Sequence, residues 1–232
     1  MAASLVQTSG LKFVNNATSP ITHNAVAAFT VGNRVIVPTT DYTNSANHIS
    51  SVTIAGTAAT KDYENADDGV NQISFWSVVV VNSGRTDVVI ATTGGVNLWQ
   101  SCSIDEWSGL QTGAGYIDAT GKTTNITSSS GSATATSATT QANGVAYAGA
   151  VDIVGTDCVS VTPTNGYTVA WFNNDGTANE GFVGFYKILG TTGVETATWT
   201  FGASAQFSTA IVVYKCAPAS VPSSNLLLLG VG

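Results

Sequence analysis

The chain has 232 residues, of which 44% are hydrophobic and 9% are charged. Seven Lys and Arg residues against 14 Asp and Glu residues give a formal net charge of -7, which argues against nucleic acid as a partner because phosphate backbones require a basic surface. The sequence contains no run of about 18 apolar residues, so no membrane span is predicted.

Short segments rich in Val, Ile, Thr and aromatic residues recur along the chain and are separated by Gly, Asn, Asp and Ser clusters. This pattern predicts an all-β protein, an antiparallel β-sandwich. The predicted strands are Arg34 to Thr39, Ile49 to Ala55, Gln72 to Val81, Asp87 to Thr92, Leu98 to Trp107, Gly144 to Val154, Tyr167 to Phe172, Gly181 to Leu189, Glu195 to Phe201 and Ala205 to Lys215.

Two stretches of the sequence resemble each other. Phe75 to Trp107 and Phe185 to Tyr214 both run from an aromatic pair through two Gly-containing turns to a closing aromatic residue. Two similar halves that each contribute a three-strand meander would produce this pattern. The sandwich is therefore expected to be jelly-roll-like.

Residues 1–217 are interpreted as one domain, since an all-β chain of this length can bury a single core. The Ser/Thr/Gly-rich stretch 119–144 is interpreted as a long exposed connection within that domain. Alternation of Thr and Ala at Ser132 to Thr140 equally suits a solvent-facing edge strand, and a linker between two domains is the less favoured alternative. Residues 218–232 form a Pro/Ser spacer and an apolar tail, SSNLLLLGVG.

The three cysteines, Cys102, Cys158 and Cys216, are odd in number and have no metal-ligand spacing. They are predicted to be reduced and mostly buried, in a protein made in a reducing compartment, and one disulfide plus one free thiol is the less favoured alternative. The first residues, MAASLVQTSG, have neither a basic segment nor an apolar segment of the kind found in signal peptides. Synthesis in a cytoplasm without a signal peptide is therefore expected.

The titratable residues do not suggest an active site. The only histidines, His23 and His48, lie in polar, turn-like surroundings, and the common hydrolase, phosphate-binding and zinc motifs are absent. Asp105 and Glu106 are neighbours on a predicted strand, so their side chains should point to opposite faces and serve as structural carboxylates. No catalytic residue and no cofactor are predicted.

One acidic loop is a weak candidate for a hard cation such as Ca²⁺. It offers Asp62, Glu64, Asp67 and Asp68 within seven residues, and Ca²⁺ prefers six to eight oxygen ligands. A second loop, Asn173 to Glu180, has a similar composition. A solvated acidic turn is the favoured interpretation of both loops, because Asn, Asp and Gly are ordinary turn residues.

The tryptophans allow a carbohydrate-binding interpretation. A sugar site usually needs an exposed aromatic ring with amide or carboxylate partners, and Trp171 followed by Asn173, Asn174 and Asp175 is the best candidate set. Trp199 lies in an alternating strand with apolar neighbours, which favours a core position.

Several phrases of the sequence resemble the β-sandwich virion proteins of tailed bacteriophages. They are ITHNAVAAFTVGNRVIVPTT, SSVTIAGTAATKDY, SIDEWSGL, GFYKILGTTGVETATWTF and AIVVYK, within residues 20–215. The resemblance implies a virion location, assembly on a capsid or tail and, for some members, binding of host-surface glycans.

The apolar tail is expected to become ordered only where it packs against a surface that also offers backbone hydrogen bonds. Burying its four leucines contributes roughly 6 to 12 kcal/mol, while ordering the seven residues from Leu226 costs about 7 to 14 kcal/mol, so backbone hydrogen bonds at a sheet edge or groove are needed as well. The predicted docking residues are Leu226, Leu227, Leu228, Leu229 and Val231. We expect them to bind a neighbouring subunit or the particle; packing on the chain's own sandwich is the alternative.

The expected function is that of a non-enzymatic virion structural protein, a homo-oligomer that decorates a capsid or forms part of a tail or fibre. The alternative is a β-sandwich module that binds a carbohydrate or host receptor.

Overall fold

The computed structural model describes residues 2–42, 48–66, 71–93, 98–152, 160–174 and 181–218. The strands of the described residues are β1 (Ser4–Thr8), β2 (Lys12–Ala17), β3 (Ile21–Asn24), β4 (Arg34–Tyr42), β5 (Ile49–Ile54), β6 (Thr57–Ala58), β7 (Thr60–Asn65), β8 (Asn71–Val79), β9 (Asp87–Thr92), β10 (Leu98–Cys102), β11 (Asp105–Ser108), β12 (Ile117–Ala138), β13 (Val145–Asp152), β14 (Val161–Pro163), β15 (Thr168–Asn174), β16 (Gly181–Ile188) and β17 (Val194–Tyr214). The predicted all-β, antiparallel architecture is confirmed, and every predicted strand overlaps an observed one.

The strands form three antiparallel sheets. The central sheet has β4 in its middle, with β8 and then β7 on one side. On the other side, β4 pairs with β11 near its start and with β10 near its end, and β1 and β2 continue outward from these two strands. The front sheet has the order β3-β9-β5-β6, and the back sheet has the order β12-β17-β13-β16-β15, with β14 beside β17.

The central sheet is covered on both faces. Successive residues of a strand point to opposite faces, so Val35 and Val37 pack against the front sheet, whereas Ile36 packs against the back sheet. This double burial explains why the start of β4 is a continuous apolar run. The back sheet meets the central sheet through a second set of aromatic and aliphatic side chains, which includes Phe75, Trp107, Tyr147, Phe182 and Tyr214.

The back sheet curls because its two longest strands, β12 and β17, bend back on themselves. Their outer halves cover the face of the sheet that is turned away from the central sheet. β12 and β17 contain 22 and 21 residues, and their pairing register shifts near Thr123 and Ser128. Beyond these shifts the ribbon encloses a core that contains Trp199, Phe201 and Phe207. The predicted core position of Trp199 is confirmed, since its side chain is 1% exposed.

The Ser/Thr/Gly-rich stretch 119–144 is mostly strand rather than a connection. Residues 117–138 form β12, which lies at one end of the strand order of the back sheet. Its Ala133 and Ala135 face the core, while Ser132 and Thr134 are exposed. The edge-strand interpretation of this stretch is the one that the structure supports.

The two similar stretches of sequence take different forms. Within Phe75 to Trp107, β8 belongs to the central sheet while β9 belongs to the front sheet. Within Phe185 to Tyr214, the two predicted strands merge into the single long strand β17. Neither stretch forms the three-strand meander expected from the sequence.

The curl of β12 requires a residue without a side chain at Gly121. A Cβ atom at this position would lie 1.9 Å from the carbonyl oxygen of Thr134 in the returning half of the same strand. We expect Gly121→Ala to lower the free energy of unfolding by about 1 to 3 kcal/mol, as measured by urea denaturation. Gly113→Ala is the control, because a Cβ atom there meets nothing within 4 Å. Equal effects of the two substitutions would contradict the close approach.

Candidate functional site

The two adjacent carboxylates of β11 lie on opposite faces of the central sheet, as predicted. Asp105 is 1% exposed and faces the back sheet. It accepts hydrogen bonds from the hydroxyls of Thr8 (2.6 Å), Ser103 (2.8 Å) and Tyr147 (2.8 Å). Tyr147 in turn accepts a hydrogen bond of 2.7 Å from the indole Nε1 of Trp107. Asp105 therefore connects β1 and β11 to β13 of the back sheet.

Glu106 is fully buried on the other face of β11. Its Oε1 accepts hydrogen bonds from the Thr30 amide (2.8 Å) and from Asn33 Nδ2 (2.6 Å), and its Oε2 accepts one from Gln7 Nε2 (2.6 Å). These donors come from β1 and from the segment before β4. The carboxylate thus holds that segment against the end of the central sheet, which agrees with the structural role predicted for it.

A third carboxylate, Asp62 of β7, joins the central sheet to both long strands of the back sheet. It accepts hydrogen bonds from the hydroxyls of Tyr116, just before β12, and of Tyr214 at the end of β17. The guanidinium of Arg34 stacks on the Tyr116 ring, with Cζ 3.7 Å from the ring centroid, and donates a 2.8 Å hydrogen bond to Ser77 Oγ. Burial raises the pKa of Asp62, and the hydrogen bonds from Ser77, Tyr116 and Tyr214, followed by the positive charge of Arg34, oppose that rise.

These groups form one continuous cluster between the central and back sheets, which we call the polar joint. The Tyr147 and Tyr214 rings lie 6.2 Å apart, centroid to centroid, and connect the two carboxylate centres. The polar joint consists of Arg34, Asp62, Asp105, Trp107, Tyr116, Tyr147 and Tyr214. Its hydroxyls donate into its carboxylates, so the hydrogen-bonding capacity of these groups is used within the fold.

The acidities of the polar joint follow from its burial. Loss of hydration raises the pKa of Asp105, and the hydrogen bonds from Thr8, Tyr147 and Ser103 oppose this effect. The pKa values of Tyr147 and Tyr214 are raised well above the ordinary value, first by burial and then by the nearby carboxylates. Neutral tyrosines that donate to carboxylates are the arrangement expected of a structural network.

A separate pair, Asp41 and His48, connects the central and front sheets. Asp41 is fully buried at the end of β4. His48 Nδ1 lies 2.9 Å from Asp41 Oδ1, and the Ile49 amide at the start of β5 donates a 2.9 Å hydrogen bond to Oδ2. Burial raises the pKa of Asp41, and the bond to His48 opposes the rise. Sequence reasoning missed this pair; the signal for it was a carboxylate near the end of the strand RVIVPTTDY.

The predicted cation ligands are only partly described. Asp62 accepts hydrogen bonds from the hydroxyls of Tyr116 and Tyr214. Glu64 accepts hydrogen bonds from Lys61 Nζ (2.6 Å) and Gln72 Nε2 (2.9 Å). Asp67 and Asp68 lie outside the described residues. In the part of the chain that the structure describes, no group of three or more His, Cys, Asp or Glu side chains is arranged to hold a metal ion.

Trp171, the best candidate for a glycan platform, is a core residue. Its side chain is 2% exposed, and its ring lies over Gly184 of β16, where a Cβ atom would come within 1.8 Å of ring carbons. The ring therefore fills the space that a glycine leaves in the sheet instead of presenting a face to solvent, which corrects the expectation. Asn173 is also buried, and Asp175 and the side chain of Asn174 lie outside the described residues.

Two of the three cysteines are free and buried, as predicted. Burial raises the pKa of Cys102 strongly. The Cys216 thiol donates to Gln141 Oε1 (3.2 Å) and to the Ala142 carbonyl (3.3 Å). Cys158 lies outside the described residues, as do all the predicted docking residues from Leu226 to Val231.

The chain leaves the described structure beside an open groove of about 470 Å³. The groove is lined by Ala2, Gln141, Ala142, Asn143, Cys216, Ala217 and Pro218. Pro218 is the first residue of the Pro/Ser spacer and the last described residue of the chain. It therefore lies close to Ala2, just before the beginning of β1.

Comparisons of the chain with models of protein families, with curated proteins and with solved structures find no match. Within the described ranges, the structure contains no helix that is long and apolar enough to cross a membrane.

The buried carboxylates predict an unusual pH dependence of stability. The folded-state pKa of Asp105 is raised, so its ionised form destabilises the folded protein, and this cost disappears as the pH falls through the folded pKa towards the unfolded value. We expect the free energy of unfolding of Asp105→Asn, taken relative to that of the natural protein, to be highest near pH 8. This difference should fall as the solution is acidified. Urea denaturation at several pH values measures this difference.

Asp87→Asn is the matched control with the opposite sign. The hydrogen bond from Arg85 lowers the pKa of Asp87, so its contribution to stability is present above the unfolded pKa and is lost only in more acidic solution. Parallel pH profiles for the two variants would show that burial does not control the ionisation of Asp105.

Proposed function

We propose that this chain is a non-enzymatic structural protein of a virion, and that copies of it assemble on the capsid or tail of a tailed bacteriophage. The observation that carries the proposal is the use of its buried carboxylates. Asp41 connects the central and front sheets, Asp62 and Asp105 connect the central and back sheets, and Glu106 holds the segment before β4. Each is bound by donors from a different part of the fold.

Such connections between the sheets are suited to a structural protein that must hold a single rigid conformation. A buried carboxylate with several correctly placed donors penalises any other arrangement of the same strands, because each displaced donor would leave an unpaired polar group. Three stacked sheets joined in this way resist shear between the layers. The sequence phrases that resemble phage virion proteins support the same conclusion.

The apolar tail supplies the means of assembly in this proposal. The leucines gain too little from burial alone to offset the entropy cost of ordering the segment, so they become ordered when a partner also provides backbone hydrogen bonds. Since Pro218 lies at the surface groove described above, the spacer starts where it can leave the chain's own sandwich. The partner is a neighbouring subunit or the particle.

The test compares the full chain with a chain that ends at Ser220. Light scattering measures the oligomeric mass, and sedimentation with purified phage particles stripped of this protein measures particle binding. We expect the shorter chain to keep its melting temperature and to lose assembly and particle binding. Full-length Leu227→Lys/Leu228→Lys is the matched control for chain length and should behave like the truncation. A lower melting temperature with unchanged association would instead place the tail on the chain's own sandwich and overturn the proposal.

A further inference from the structure

The first strand of the central sheet is a short edge strand with a register shift near its middle and no charged or proline residue. β1 lies at an end of the strand order, and among the described strands it pairs only with β11. None of its five residues is buried, and its sequence, SLVQT, contains neither a charge nor a proline. Sheet edges are normally protected by such residues because exposed strand edges pair with other chains. The edge strand β2 on the same side of β4 carries Lys12.

An exposed apolar side chain marks the same edge. Val6, in the middle of β1, is 48% exposed and lies at a shift in the pairing register between Leu5 and Gln7. The main-chain edge supplies hydrogen bonds to an incoming strand, and an apolar side chain beside it supplies contact area. An extended apolar segment can pair with the main chain of this edge and cover its exposed apolar side chain.

The end of the described chain lies close to the start of β1. The Ala217 amide donates a 2.7 Å hydrogen bond to the Gly109 carbonyl. A Cβ atom on Gly109 would lie 2.4 Å from the carbonyl oxygen of Ala2, which shows how closely the two segments approach. The groove at Pro218 is also lined by Ala2, two residues before β1 begins. The last described residue and the first residues of β1 are therefore neighbours in one molecule.

The spacer is long enough to reach a second molecule. Eight residue steps separate Pro218 from Leu226, which span at most about 26 Å of chain. β1 has five residues and is about 17 Å long. This reach allows the leucines to meet β1 of the same molecule or of a second copy, and the proposed assembly through subunit contacts selects the second copy.

We propose that Leu226 to Val231 of one copy adds as a strand to the free edge of β1 of a second copy, and that the second copy returns the same contact. Because Pro218 lies close to the start of β1 in each molecule, a two-fold axis between the copies can satisfy both contacts at once. The inference rests on the proposed function and names the surface that receives the tail.

Disulfide trapping between two single variants tests the contact. Val6→Cys and Leu228→Cys chains are mixed, oxidised and analysed by non-reducing electrophoresis and peptide mass spectrometry. Only contact between different molecules joins the two positions in this mixture. We expect the linked species to exceed by about tenfold the amount formed by Val194→Cys with Leu228→Cys. Val194 is the control because it is 59% exposed and lies on the back sheet. Equal yields from the two mixtures would overturn the inference.

A charge on the edge gives an independent measurement. We expect Val6→Lys to raise the dissociation constant of the dimer about tenfold or more, while Val194→Lys leaves it unchanged. If the chain ending at Ser220 fails to assemble but Val6→Lys assembles normally, the tail binds another surface and only this inference is wrong. If the truncated chain assembles normally, the proposed function and this inference both fail.

Discussion

Replacing Arg34 with alanine is expected to lower the free energy of unfolding by about 3 to 5 kcal/mol. Arg34 is 3% exposed, donates to Ser77 Oγ and to the Gln111 carbonyl, and stacks on the Tyr116 ring. The substitution removes these hydrogen bonds and the stacking contact and leaves a cavity beside Tyr116. The positive charge of Arg34 also opposes the rise in the pKa of the buried Asp62, after the hydrogen bonds that this carboxylate accepts.

The loss should depend on pH. Without the positive charge of Arg34 the folded-state pKa of Asp62 rises further, so the added destabilisation develops as the pH rises from the natural folded-state pKa to the raised one and is constant above it. Urea denaturation at pH 5 and at pH 8 measures this trend.

Arg85→Ala is the control for Arg34→Ala. Arg85 also contacts an aspartate, Asp87, but its side chain is 49% exposed. Exposed ion pairs contribute little because water and salt screen them, so we expect no resolved change in stability. Equal losses for the two arginine variants, or a pH-independent loss for Arg34→Ala, would contradict the structural role assigned to the polar joint.

Trp171→Ala is expected to lower the free energy of unfolding by about 3 to 5 kcal/mol. The indole ring covers Gly184, and its removal leaves a cavity between β15 and β16 that the rigid sheet cannot close. Thermal and urea denaturation of the variant measure the loss. Trp171→Phe should lose less, because a smaller ring still covers the glycine.

Val169→Ala on the same strand is the matched control. Val169 is 38% exposed, so we expect a change of less than about 1 kcal/mol. A Trp171→Ala protein of natural stability that had lost binding on a glycan array would restore the carbohydrate-binding interpretation of the sequence. Loss of stability without such a change in binding places the residue in the core.

Local patterns in the sequence were sufficient for the strands and for some side-chain directions. Two-residue periodicity correctly placed Asp105 and Glu106 on opposite faces of one strand, and apolar neighbours correctly placed Trp199 in the core. The same kind of argument failed for Trp171. The polar residues that follow it suggested an exposed ring, whereas its burial depends on Gly184 in another strand.

The sequence did not predict which sheet each strand joins, because sheet membership depends on pairings between segments that are distant in the chain. The stretch from Phe75 to Trp107 reads as a meander, yet β8 pairs with β4 and β7, while β9 pairs with β3 and β5. The predicted break before Ala205 does not occur, because β12 pairs with both halves of β17 on either side of the bend. Local turn signals do not record these competing partners.

The sequence by itself determined the β-rich character, the buried, unbridged cysteines at 102 and 216 and the structural role of the carboxylates in β11, since composition and short-range periodicity decide these features. Only the tertiary structure decided the three-layer arrangement and the polar joint. Asp62 and Tyr214 are 152 residues apart in the chain and hydrogen-bonded at 2.7 Å. The physical reason is that a buried charge is stabilised by partners brought together through sheet packing, and no local pattern specifies which distant residues these are.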